Sequence, residues 1–260
     1  MPNRLPEYEL IENEADLSRF YSLHKGLKWM AFDTEFVGEK RYMTTLCLIQ
    51  VASEKGIFLI DPFRIKDLKP FLLLIESPDL IKITHAGDND YRLLYNLYGI
   101  TPRSVFDTQL AAGFVGYNYP TSFGKLVEGE VGIRLKKGYA VTDWEARPLG
   151  NRQLKYAIND VIHLEELWLN LSKKLDKWQR KAWAEQEFAE LEAESYYKKH
   201  PYNEAINSKL MQALNKRDRI FLIRLLEWRR AQGFFSELER QNQLILNAAG
   251  DEHRITTGDL

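Results

Sequence analysis

Early in the chain the apolar positions fall into short runs that turn residues interrupt, and aromatic and β-branched side chains dominate each run. Three of these runs read as strands: Lys28–Phe36 (KWMAFDTEF), Thr44–Ala52 (TTLCLIQVA) and Gly56–Asp61 (GIFLID). Ser53 to Lys55 is then a short hairpin connection. After Pro62 the period lengthens. Lys66–Glu76 (KDLKPFLLLIE) predicts a helix, Leu80–His85 (LIKITH) a fourth strand, and Asp88–Tyr98 (DNDYRLLYNLY) a second helix. Asp88 or Asn89 is a fitting N-cap for that helix, and Gly99 a C-terminal stop. A short fifth strand, Val105–Asp107, leads into a helical run over Thr108–Phe114.

Three strands in a meander, then helix, strand, helix, strand, predict an α/β fold with a mixed sheet and helices on its faces. Residues 116–150 are richer in Gly, Pro and Tyr and read as loops and short helices. Arg152–Lys174 reads as one amphipathic helix, and the charged run Asp176–Lys199 as a long helical spacer. A small all-α domain is expected from about Asn203 onward. The division expected is therefore 1–175, a linker over 176–202, and 203–260.

Composition narrows the function classes. With 260 residues, 45% hydrophobic and 28% charged, the chain reads as an ordinary globular protein. No stretch approaches the roughly 18 apolar residues of a membrane span, and the polar, acidic N-terminus is unlike a secretory signal. Cys47 is the only cysteine. Its apolar neighbours make it a buried strand thiol rather than a nucleophile, and a reducing, cytoplasmic home is expected. The net charge is −1, so a polyanion would have to be met by a local patch or through metal ions.

The acids carry the chemistry. Asp33 and Glu35 are i and i+2 on an interior strand, so both point to one face. Like charges there repel, and desolvation adds to the cost. A cation sits between them, or one is protonated, or one projects past the sheet end into solvent. Tyr156 and Asp160 are i and i+4 on a helix and share a face, as a structural hydrogen bond or as a working pair. Asp90 lies in the first turn of its helix, where an acid is also favoured by the helix dipole. The small residues of His85-Ala86-Gly87 let other groups approach Asp90 closely. Together, Asp33, Glu35, Asp90 and Asp160 form an oxygen-only set that selects Mg²⁺ or Mn²⁺ over zinc. Two such ions about 3.5–4 Å apart would serve phosphoryl transfer.

The blocks FDTEF (32–36), HAGDND (85–90) and YAIND (156–160) resemble, in that order, the three motifs of the DEDD exonuclease superfamily, with Tyr156 marking its DEDDy branch. LCLIQVA (46–52), VFDTQLAAGF (105–114), TDWEARPL (142–149) and RQLKYAINDVIHL (152–164) are similar to ribonuclease D in particular. The resemblance covers about residues 8–175. It implies a ribonuclease H-like fold and metal-dependent 3′→5′ hydrolysis from an RNA end, releasing nucleoside 5′-monophosphates, with tRNA or other stable RNA 3′ ends as the family's substrates. Single-stranded DNA is the rival substrate, a non-catalytic nucleic-acid scaffold the rival function, and a monomer is expected.

By the same resemblance, Asp33 bridges both metals, Glu35 and Asp160 hold the ion that carries the attacking water, and Asp90 binds the other ion. Tyr156 orients that water, and an ordinary phenol pKa near 10 makes it a poor base. Thr34, Phe36, His85 and Arg147 become candidate substrate contacts, while Asp107 and Trp144 read as structural. Phe221–Arg230 (FLIRLLEWRR) resembles the first helix of an HRDC module, but the sequence after it departs from that pattern, so the module is partial or divergent. From Lys216 to Arg230 six cations stand against two acids. Phe221, Leu222, Leu225 and Trp228 are expected to pack inward, leaving a basic face that either tracks phosphates or is merely solvated.

Overall fold

A computed structural model describes residues 5–38, 44–135, 142–198, 211 and 214–228. The chain divides into two compact units, Met1–Tyr197 and Lys198–Leu260.

The first unit is built on a six-stranded mixed sheet in the order β1-β4-β3-β2-β5-β6. The strands are β1 (Glu9–Ile11), β2 (Trp29–Val37), β3 (Thr45–Ser53), β4 (Gly56–Ile60), β5 (Ile81–Thr84) and β6 (Val105–Asp107). β2, β3 and β4 form the expected antiparallel meander, and β5 and β6 extend it in parallel beyond β2. β3 is buried along nearly its whole length, as its largely apolar run, interrupted only by Gln50, requires of a strand covered on both faces.

The helices are α1 (Glu14–His24), α2 (Lys69–Ile75), α3 (Asp88–Tyr98), α4 (Thr108–Phe114), α5 (Phe123–Glu130), α6 (Asn151–Ile162), α7 (Leu164–Lys177), α8 (Lys181–Leu191) and α9 (Glu194–Tyr197). Strand alternation sorts them. Met30 and Phe32 point to the core that holds Phe71, Tyr91 and Leu94 from α2 and α3. Trp29 and Ala31 point to the opposite core, with Val161, Leu167 and Leu171 from α6 and α7. Asp33 and Glu35 continue the second set, so they face the side on which α6 lies.

Three features differ from the sequence reading. β1 and α1 form from the segment read only as polar; Asn13 caps α1 by accepting a bond from Asp16 N at 2.9 Å, and Leu17, Phe20 and His24 are buried. The helix expected over 152–174 is broken at His163, and no Gly or Pro marks the break. It lets α6 lie on β2 and β3 while α7 turns to pack on α4 and β5. Finally, the charged run after 176 is not one helix. Gln179 turns the chain at φ 56°, and Arg180 donates to the Phe114 carbonyl at 2.7 Å. Ala184, Phe188, Leu191 and Tyr197 are buried, so the first unit runs on to Tyr197.

Of the second unit, residues 216–228 are helical. Phe221, Leu225 and Trp228, expected to pack inward, are exposed. Most of the HRDC-like reading lies outside the described residues.

Candidate active site

Four elements deliver the acids and their supports to one end of the sheet. β2 carries Asp33 and Glu35, and a register shift after Glu35 marks the strand's irregular exit. Oxygens of Asp33, Glu35 and Asp160 lie within 4.8 Å of one another. α3 brings Asp90 from the other face. Its Oδ1 accepts from the Thr34 backbone N–H at 3.1 Å and from the Thr34 hydroxyl. Thr34 thus holds Asp90 in place, a different use from the substrate contact expected of it.

The turn into α3 shows why small residues stand there. A Cβ on Gly87 would lie 2.5 Å from Thr84 Oγ1 and 2.8 Å from Thr84 Cβ, so only glycine fits. Ala86 sits at φ 57°. The buried Asp107 carboxylate accepts from Ala86 N (3.2 Å) and Gly87 N (2.7 Å), and also caps α4 through Gln109 N and Leu110 N. Asp107 is therefore structural, as expected. Gly87 caps α3 without a side-chain bond, in place of Asp88 or Asn89, and Asp88 instead pairs with Arg92.

Electrostatically the cluster is unbalanced. Burial drives the Asp33 carboxyl well above the usual range, and Asp90, Asp160 and Glu35 add to it. Burial, then Asp160 and Asp90, pushes Glu35 up to about 8. Burial pushes Asp160 to about 7 against a hydrogen bond from Tyr156, and Asp90 to about 7 against the bond from Thr34. No cation among the described residues counters this charge, and Asp160 Oδ2 is buried without a partner among them. Oxygen donors this close, mutually repelling and partly unsatisfied, fit a hard divalent cation.

The Tyr156 phenol is raised well above its ordinary value, by burial first and then by Asp160, Glu35 and Asp33. It stays protonated and donates to Asp160, which strengthens the expectation that it is no base. One participant is missing from the sequence reading. Gln50 lies opposite Asp33 across the β2–β3 pair, is fully buried, and points Nε2 at Glu35 Oε1 at 3.5 Å, while its own Oε1 has no partner among the described residues. A polar residue inside an otherwise apolar strand is the signal that could have found it.

The remaining expected contacts divide. Phe36 is 38% exposed beside the acids and is available as a stacking surface. His85 is engaged at both ring nitrogens, by Thr108 Oγ1 at 2.9 Å and the Thr121 carbonyl at 3.1 Å, with Phe123 against its ring. Arg147 has no donor left for a phosphate. Nε and Nη2 hold Asp61 at 2.6 and 2.9 Å, Nη2 also reaches Cys47 O at 2.6 Å, and Nη1 reaches Trp144 O and Ala146 O at 2.8 and 3.0 Å. All five guanidinium N–H groups are used inside the protein.

Fold and site define a class: a mixed α/β domain whose sheet end gathers carboxylates suited to divalent cations. A family model described as 3′-5′ exonuclease matches residues 8–176, and the chain belongs to that family. It is 38% identical over 196 residues to a ribonuclease D of Sphingobium indicum, covering 75% of this chain and 50% of that one. A ribonuclease D of Zymomonas mobilis is 37% identical over 240 residues, 92% of this chain and 60% of the other. Among solved structures, Escherichia coli RNase D, described as an exoribonuclease involved in structured RNA processing, superposes with a TM-score of 0.81 at 28% identity, covering 89% of this chain and 62% of that chain. The chain thus spans about half to three fifths of the length of these relatives.

Proposed function

We propose that this chain is a ribonuclease D-type 3′→5′ exoribonuclease that hydrolyses the terminal phosphodiester of an RNA 3′ end and releases a nucleoside 5′-monophosphate. The observation that carries the reading is the convergence of Asp33, Glu35 and Asp160 oxygens, with the buried Asp90 adjoining, in a half-buried cluster that no protein cation balances among the described residues. Ribonucleases D among the relatives support RNA as the substrate.

In this reading Asp33, Glu35, Asp90 and Asp160 hold two divalent ions, Mg²⁺ or Mn²⁺. When bound, the ions supply Lewis acidity, activating the attacking water and stabilising the leaving 3′ oxygen. The protein's part is placement. Thr34 fixes Asp90, and Gln50 steadies Glu35, which also accepts a bond from the terminal 3′-hydroxyl. Tyr156, kept protonated, orients the attacking water from its place beside Asp160. The exposed ring of Phe36 stacks on the end base. A monomeric, cytoplasmic enzyme trimming tRNA or other stable RNA precursors completes the proposal. The single, buried cysteine and the structured-RNA role of the E. coli relative support it, and no helix among the described residues is long and apolar enough to cross a membrane.

The test is a 3′-tailed RNA incubated with and without Mn²⁺. A ladder of products shortened from the 3′ end, absent in EDTA and absent for Asp33→Asn, is expected. A matched DNA oligonucleotide in parallel reports whether the sugar matters. Metal-independent cleavage, or products cut internally, would overturn the proposal.

A further inference from the structure

Arg147 is spent within the protein, and what it holds is instructive. Its fork closes on Asp61, just past the end of β4, in a pair with side chains only 16% and 2% exposed. The same guanidinium grips the carbonyl of Cys47 on β3, one residue before Leu48, which pairs with Glu35 across the sheet. From its other nitrogen it grips the carbonyls of Trp144 and Ala146 in the segment that leads into α6. One rigid planar group therefore ties the strand beside Glu35 to the approach of the helix that carries Tyr156 and Asp160.

Trp144 is the contact between this tie and the site. Its indole is buried, with the ring centroid 6.0 Å from that of Tyr156. The indole N–H has no partner among the described residues. Packing, together with the main chain that Arg147 grips, therefore sets the ring's place. Trp144 shares its small core with Cys47, Leu48, Leu154 and Ala157, on the side of α6 that faces β3.

We propose that Asp61 and Arg147 form a positioning element for the reaction: by fixing the Trp144 main chain they set the Trp144 ring, which backs the phenol of Tyr156 and aims its hydroxyl. This rests on the nuclease reading above. Arg147 touches no substrate and acts through Tyr156 alone. A lysine at 147 keeps the charge beside Asp61, but it has three donors where five are used, and no planar fork.

The experiment is a double-mutant cycle on a short 3′-tailed RNA in saturating Mn²⁺, comparing wild type, Arg147→Lys, Tyr156→Phe and the double variant. Arg147→Lys is expected to lower kcat by about 10–100-fold, less than the roughly 10²–10⁴-fold available to an orienting group, with KM within about twofold of wild type. In the Tyr156→Phe background the same change should cost less than about twofold, because the hydroxyl it aims is already gone. Equal losses in both backgrounds would show Arg147 to be only a structural strut and would overturn the proposal. If Arg147→Lys fails to fold, Trp144→Phe carries the same cycle with the same two outcomes. A wild-type protein that leaves the RNA intact overturns the nuclease reading itself, and this role with it. A wild type that cleaves while the cycle is additive overturns the positioning role alone.

Discussion

Glu35→Gln should make the metal-free protein more stable at neutral pH, although it removes a residue of the site. The folded carboxyl is pushed from 4.5 to about 8, by burial first and then by Asp160 and Asp90. Between those values the folded state holds a proton that the unfolded chain has released, so stability falls as pH rises through this window. The gap between 4.5 and pH 7, at about 1.4 kcal/mol per pH unit, sets an upper bound of about 3–4 kcal/mol on the cost of the charge. Solvent reaches part of Glu35, and screening reduces this to about 1–2 kcal/mol. For a unit of this size that is a gain of roughly 2–8 °C in Tm. Gln50 can still donate to the new amide oxygen, so that bond is kept. Thermal unfolding in EDTA at pH 5 and pH 7.5 measures it: a clear gain at the higher pH, a small fraction of it at pH 5, and a reversed order in saturating Mn²⁺, where wild type alone keeps all the proposed ligands. A Gln variant less stable than wild type at pH 7.5 in EDTA, or a gain of the same size at both pH values, would refute the argument that these acids are held unpaired for a cation.

Tyr156→Phe should slow cleavage by about 10²–10⁴-fold while the Mn²⁺-induced rise in Tm stays close to that of wild type; turnover at the wild-type rate would reduce the phenol to packing. Gly87→Ala should destabilise the fold by about 1–3 kcal/mol, because its methyl meets Thr84 Oγ1 at 2.5 Å, and urea unfolding will show whether that turn is as tight as the geometry requires. Deleting residues 203–260 should weaken binding to long RNA and flatten its salt dependence by about 0.7 in the log–log slope for each phosphate no longer neutralised, while a very short oligonucleotide is cut nearly as before. Unchanged affinity and slope would make the basic stretch around Lys216 a solvated surface only.

What the sequence determined by itself was local. α3 and α4 have the bounds that periodicity predicts, Asp88–Tyr98 and Thr108–Phe114, and β6 is Val105–Asp107 as read. Alternation along β2 put Asp33 and Glu35 on one face, and helical spacing put Tyr156 beside Asp160, because these relations need only the geometry of a single element. Tertiary structure decided everything that depends on a distant partner. The edge strand β1 is three residues long, too short for a period to show, and exists because it pairs with β4. The break at His163 follows from α6 and α7 packing on different neighbours, and the unit's end at Tyr197 from Phe188 packing tilted against Phe106 and Tyr197 stacking on Tyr95. Arg147 is the sharpest case. A cation in a loop before a helix reads equally well as a phosphate contact, and only the arrival of Asp61 and Cys47, remote in sequence, consumes its donors. Patterning states which face of an element is buried; it does not state what comes to lie against it, and the raised carboxyls of Asp33, Glu35 and Asp160 arise only once that encounter is made.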